Sequence, residues 1–287
     1  MTCQSRQFFD PSDATDTTLN TFSPVEESTL IPYQAASQIL VGAVLVFAPH
    51  PDDEVFGCGG ALALHVRAAV PVRVVILTDG ALGGDPQEAS LAHCRQAEST
   101  AALAVIGVSA PEFWNLPDRG VSYDEPLVCR IMAEISAAAA DLIYLPSLEE
   151  LHPDHRAIAL AGLEAVRRLQ GERRIAFYEI SAPLKPNLLL DIDPVMEIKR
   201  AAMRCFPSQL ALQPYDEHIE ALNRYRTYTL GGSVRAAEAY QLIEASSLSH
   251  GLTHLYCSEY QRRRNRGLPS AASDIPLVSV LIRSAGR

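Results

Sequence analysis

Ile39-Leu40-Val41-Gly42-Ala43-Val44-Leu45-Val46-Phe47-Ala48 runs straight into Pro49-His50-Pro51-Asp52-Asp53-Glu54, and Gly57-Cys58-Gly59-Gly60 follows. The first stretch is apolar without alternation, the pattern of a parallel strand covered on both faces. The glycines permit a tight strand-to-helix turn, and a helix is expected over residues 59–69. One imidazole and two adjacent carboxylates thus stand where a strand ends and a helix begins.

The same alternation continues downstream. Apolar or β-branched runs predict strands at 72–78, 112–116, 142–146 and 175–180. Helical periodicity predicts helices at 86–106, closed by Gly107, and at 127–140 and 154–169. Strands alternating with helices imply βαβ units: an α/β fold with a Rossmann-like, mostly parallel sheet and helices on both faces. Such sheets bind ligands at the carboxyl ends of their strands. A second cluster, His152-Pro153-Asp154-His155, falls after the strand at 142–146, so both clusters can meet at that edge.

Composition narrows the function. The chain has 287 residues, is 48% hydrophobic and carries a net charge of −10, so a sizeable core is available. The acidic balance argues against generic nucleic-acid or anionic-membrane binding. The six cysteines form no C-x-x-C pair, which fits a reducing, cytoplasmic setting. No apolar stretch is long enough to span a bilayer. Residues 1–35 read as a polar N-terminal arm, 36–260 as the main domain, and 261–287 as a linker and C-terminal strand. A homo-oligomer is left open.

His50 with Asp53, and His152 with His155, are each three apart, a spacing that places two side chains on one face of a helical turn. Imidazole nitrogens and a carboxylate oxygen suit Zn2+, which keeps one position open in catalytic sites. Adjacent side chains diverge, so one of Asp52 and Asp53 can bind metal while the other faces a water. The plainer reading of either cluster is an aspartate capping a helix N-terminus. Two clusters at one sheet edge favour metal-assisted hydrolysis. No G-x-G-x-x-G follows a strand, which disfavours a nucleotide-binding site.

Pro49-His50-Pro51-Asp52-Asp53-Glu54 with Gly57-x-Gly59-Gly60 resembles the opening signature of the PIG-L/LmbE family of zinc-dependent de-N-acetylases. His152-Pro153-Asp154-His155 resembles its second metal motif. The likeness extends through Thr78-Asp79-Gly80, Arg95-x-x-Glu98, the segment from Lys199 to Ser208-Gln209, and Ala237-Glu238-Ala239-Tyr240. The resemblance implies an LmbE-like domain, with His50, Asp53 and His155 as zinc ligands and Asp52 as general base. It implies His152 as a second catalytic residue, polarising the acyl oxygen or protonating the amine. It also implies Arg95 at substrate hydroxyls or phosphate; the plainer reading is a surface ion pair with Glu98. Asp118 binds sugar hydroxyls or shapes its turn. Asp154 orients His152 or His155 from behind, or caps its helix. Glu149 and Glu150 meet substrate or are solvated.

The expected activity is removal of acetyl from an N-acetylated amino sugar, such as an N-acetylglucosamine conjugate. The rivals are an amidase on a thiol conjugate or other amide, and a non-catalytic metal- or glycan-binding module. Pro276–Arg283 resembles the first strand of a family 2 glycosyltransferase, which would make this chain the deacetylase part of a longer protein; an edge strand of the same domain is the plainer reading.

Overall fold

The computed structural model describes residues 31–84 and 90–250. The C-terminal strand expected at 276–283, and most of the N-terminal arm, lie outside these residues. Eight strands form one sheet in the order β1-β7-β8-β6-β5-β2-β3-β4. The strands are β1 (Ala35–Ala36), β2 (Val44–Ala48), β3 (Val72–Thr78), β4 (Glu112–Leu116), β5 (Leu142–Pro146), β6 (Arg174–Tyr178), β7 (Leu188–Asp191) and β8 (Ala237–Glu244). β8 runs antiparallel to β6 and to β7; every other pairing is parallel.

The helices are α1 (Asp53–Arg67), α2 (Leu91–Ile106), α3 (Glu125–Ala137), α4 (Pro153–Leu169), α5 (Met196–Met203), α6 (Pro207–Leu210) and α7 (Tyr215–Tyr225). The pleat divides the apolar strands between two cores. Val44, Val46 and Ala48 pack with residues of α1, α2 and α5, whereas Leu45 and Phe47 pack with residues of α3 and α4. The unalternating sequence of β2 is therefore an alternation between two dry faces.

Several boundaries differ from the sequence expectation, for local reasons. β2 begins at Val44, not Ile39, because the Asp141 carboxylate takes the Gly42 and Ala43 amides at 2.8 and 2.9 Å. α1 begins at Asp53 rather than Gly59, and its helical geometry breaks at Cys58 (φ −139°, ψ 18°). α3 begins at Glu125, where Asp124 accepts from the Leu127 amide at 3.0 Å. β7, β8 and α5–α7 were not expected.

The break in α1 gives its second half an N-terminus of its own. Glu238 from β8 caps it, accepting from the Gly60 and Ala61 amides at 2.8 Å each. The same carboxylate accepts from Lys199 Nζ at 2.7 Å and from the Tyr240 hydroxyl at 2.6 Å. Lys199 also donates to Asn223 Oδ1 at 3.0 Å. All four side chains are buried, so β8, α5 and α7 are pinned to α1 through charge-assisted bonds.

Candidate active site

The C-terminal edge of the sheet brings the two motifs together. β2 delivers His50–Asp53 and β5 delivers His152–His155, and these strands are parallel neighbours. β3 fixes the first turn: Thr78 donates to Pro49 O from its amide and from Oγ1, at 3.0 and 2.8 Å. β4 leads into Asp118.

His50 Nδ1, Asp53 Oδ2 and His155 Nε2 form a triangle in which every side is 3.2 Å. A tetrahedral ion bound at roughly 2.0–2.2 Å sets neighbouring ligand atoms about 3.3–3.6 Å apart, so two imidazoles and one carboxylate here fit such an ion. The surroundings favour positive charge at this point. Burial opposes protonation of His155, yet Asp53 and Glu150 hold its pKa up at about 9. Burial likewise opposes ionisation of Asp53, and His155 and His50 hold it well below the usual carboxylate range.

Each imidazole has carboxylates behind it. Glu150 Oε2 lies 3.4 Å from His155 Nδ1, a close ionic approach. Asp118 Oδ1 and Asp154 Oδ2 lie 3.3 and 3.4 Å from His50 Nε2. Carboxylates in such places orient imidazoles and raise their basicity. They are themselves fixed. Asp118 accepts from the Leu82 amide at 3.0 Å, and Asp154 from Arg119 and Val121 amides at 2.7 and 3.2 Å. Asp154 thus backs His50 more closely than His152, whose Nδ1 is 4.0 Å away. Glu150, expected to meet substrate or to be solvated, is fully buried and accepts from the Ile180 amide at 2.7 Å and from Ser181. No local pattern distinguished it from Glu149.

Asp52 stands beside the triangle and outside it. Its backbone has φ 134°, ψ −32°, a conformation that costs a non-glycine residue of order 1–3 kcal/mol. Its side chain caps nothing in α1, so the plain helix-cap reading of Asp52 does not apply. Instead Arg95 Nη2 donates to Asp52 Oδ2 at 2.9 Å. Burial pushes Asp52 up to about 6, and Arg95 limits the rise. Arg95 also donates to Pro51 O and Gly80 O, at 3.0 and 2.8 Å. Arg95 is only 3% exposed and pairs with Asp52 instead of Glu98, so the plainer reading of a surface ion pair with Glu98 does not hold. Glu98 accepts from the Ser208 amide and hydroxyl at 2.9 and 2.6 Å, which ties α2 to α6.

His152 caps α4, its Nδ1 accepting from the Asp154 amide at 3.2 Å. That bond leaves the proton of the neutral ring on Nε2. Burial and the neighbouring His50 and His155 hold its pKa below the ordinary value. The ring is edge-on to His50, with centroids 4.6 Å apart. His50, His152 and His155 form one group that could hold a metal ion.

His50, Asp52, Asp53 and His152 line a cavity of about 220 Å³. Arg95 and Asp118 are on its wall, with Phe56, Ile180 and Tyr215 providing apolar surface. Trp114 is not there: it is buried against Phe47, with Arg130 stacked 3.8 Å above its ring. Cys58 is buried as well, its thiol directed at Glu54 O.

A family model described as GlcNAc-PI de-N-acetylase, PIG-L, matches residues 45–166. Diacetylchitobiose deacetylase of Thermococcus kodakarensis is 29% identical over 191 residues, covering 59% of this chain and 70% of that protein. A 4-oxalmesaconate hydratase of Pseudomonas putida is 28% identical over 206 residues, covering 63% of this chain and 79% of that protein. In fold, the chain resembles N,N'-diacetylchitobiose deacetylase of Pyrococcus horikoshii, with a TM-score of 0.66 and 24% identity, over 75% of this chain and 89% of that one. The matched segment holds both histidine motifs and the strands that join them, and over that segment the chain resembles the PIG-L family.

Proposed function

We propose that this chain is a zinc-dependent hydrolase that removes the acetyl group from an N-acetylated amino sugar or its conjugate. The observation that carries this reading is the placing of Asp52: a carboxylate beside a three-donor cluster, held off it by Arg95. A binding site alone has no use for that second carboxylate, whereas amide hydrolysis needs a base next to its water.

His50 Nδ1, Asp53 Oδ2 and His155 Nε2 would hold the ion. Zinc bound there supplies a Lewis acid that lowers the pKa of a water toward about 7 and polarises an acyl oxygen. Asp52, poised at about 6 by burial, takes the proton of the attacking water. His152, on the cavity wall with its proton on Nε2, acts as a donor that steadies the negative charge gathering on the acyl oxygen. Asp52 then returns its proton to the departing amine, so that acetate and a free amino group leave. The apolar wall of Phe56, Ile180 and Tyr215 shields the exchange from bulk water.

The test combines metal analysis with acetate release from N-acetylglucosamine, N,N'-diacetylchitobiose, nucleotide-linked N-acetylhexosamines and acetylated thiol conjugates. The expectation is about one zinc per chain and acetate from a sugar substrate. Asp53→Ala and His155→Ala should lose the metal; Asp52→Asn and His152→Ala should keep it and lose turnover. Acetate only from thiol conjugates would move the assignment to another amide. No acetate from any of them with zinc bound would overturn hydrolysis, in favour of a binding module or the hydration chemistry named for the Pseudomonas relative.

A further inference from the structure

An aspartate at the first position of a helix ordinarily turns its side chain onto the free amides of the first turn. Asp52 holds that position before α1, yet its side chain makes no capping bond. The reason lies two residues on. Glu54 reaches back and accepts from the Asp52 amide, Oε2 at 3.0 Å. Its other oxygen, Oε1, accepts from the Ser99 hydroxyl on α2. Ser99 and Arg95 are four apart on α2, hence on one face. That face therefore holds Asp52 at both ends: the amide through Ser99 and Glu54, and the carboxylate directly through Arg95. Glu54 and Ser99 are completely buried.

This resembles half of a capping box, made from the second helical position instead of the third. In the full motif the side chain reaches back to the first amide while the first side chain caps in return. Here the return bond is missing. A left-handed backbone at Asp52, φ 134°, aims the carboxylate away from the helix amides and beside the cavity.

We propose that Glu54 and Ser99 are positioning residues that keep Asp52 out of its own helix cap and so available as a base. The inference rests on the reading of Asp52 as the general base. Without the Glu54 acceptor, Asp52 can relax to the extended backbone of an ordinary capping residue, and its carboxylate folds onto the first turn of α1. The groups that would bind the metal are left in place.

The test compares Glu54→Met, Glu54→Gln, Ser99→Ala and Asp52→Asn in the zinc-loaded protein. The readouts are acetate release, zinc content and hydrogen exchange at the Asp52 amide. Glu54→Met should lower kcat by about ten-fold or more, with KM and zinc content unchanged, and deprotect the Asp52 amide. Glu54→Gln keeps an oxygen acceptor and should stay within about three-fold of the unaltered protein, with its amide protected. Ser99→Ala removes only a hydroxyl, so it serves if Glu54→Met does not fold; it should lower kcat several-fold with zinc retained. Unchanged kcat in Ser99→Ala and in a folded Glu54→Met overturns the proposal. So does a kcat loss that merely follows zinc loss, or a Glu54→Gln as slow as Glu54→Met. If Asp52→Asn keeps full turnover, the general-base reading itself fails. If Asp52→Asn is inactive while Glu54→Met is fully active, only the positioning inference fails.

Discussion

Glu150 Oε2 sits 3.4 Å from His155 Nδ1, on the side of the ring opposite the nitrogen that faces Asp53. Glu150 is itself held by the Ile180 and Ser181 amides, so it is a fixed anvil and not a mobile counter-ion. Replacing it by Gln should leave the ring in place and weaken its basicity. Metal affinity should fall about 10- to 100-fold, the usual effect of losing such a partner. Competition with a chelator measures this; an affinity equal to that of the unaltered protein would show that Glu150 serves only the loop around Ser181.

Gly57 is required by contact and not by backbone angle. A Cβ at this position would lie 2.4 Å from the Tyr178 ring. Tyr178 cannot withdraw, because it is fully buried and its hydroxyl donates to Phe47 O at 2.9 Å. Gly57→Ala should therefore destabilise the fold by about 1–3 kcal/mol, the ordinary cost of overpacking. Urea denaturation reads this, and a midpoint within error of the parent would contradict the rigidity ascribed to Tyr178.

His65 gives the fold a pH dependence far from the site. Its Nε2 lies 2.9 Å from the Tyr144 hydroxyl, and burial lowers its pKa from 6.5 to about 4. The unfolded chain binds a proton near pH 6.5 that the folded chain refuses until about pH 4. Its share of stability is therefore complete above pH 6.5 and declines as the pH falls through this interval. At pH 5 the loss should be about 2 kcal/mol. His65→Asn should remove that share of the slope, as seen by denaturant titrations at pH 5 and 7.5; an unaltered slope would point to other groups.

Lys199 is fully buried and pairs with Glu238 at 2.7 Å. Lys199→Met keeps the length of the side chain but leaves the Glu238 carboxylate with neutral donors only. Breaking a buried pair in this way should cost about 3 kcal/mol or more. A thermal melt would reveal it, and a Lys199→Met protein as stable as the parent would mean that the amides of Gly60 and Ala61 suffice.

The central strands were legible because parallel strands buried on both faces are written as unbroken apolar runs, as in β2 and β5. The histidine motifs were legible because their chemistry is dense and local. β8 was not, since its Ala-Glu-Ala-Tyr-Gln sequence carries a charge into the interior, and only Lys199 and the α1 amides explain why Glu238 belongs there. Glu150 and Glu54 escaped for the same reason: their partners, Ile180, Ser181 and Ser99, are distant along the chain. A pattern read in one dimension shows what a residue can do. It does not show which neighbour will claim it.

The break in α1 also orders events in time. The carboxylate that caps the helix behind the Asp52–Asp53 turn comes 178 residues after Gly60. A ribosome delivers the chain from its N-terminus, so a nascent chain has both histidine motifs long before it has Glu238. Until β8 inserts between β6 and β7, the rear half of α1 lacks its carboxylate cap, and β6 and β7 each present an unpaired edge. The turn that bears Asp52 and Asp53 is thus made well before the strand that finishes it.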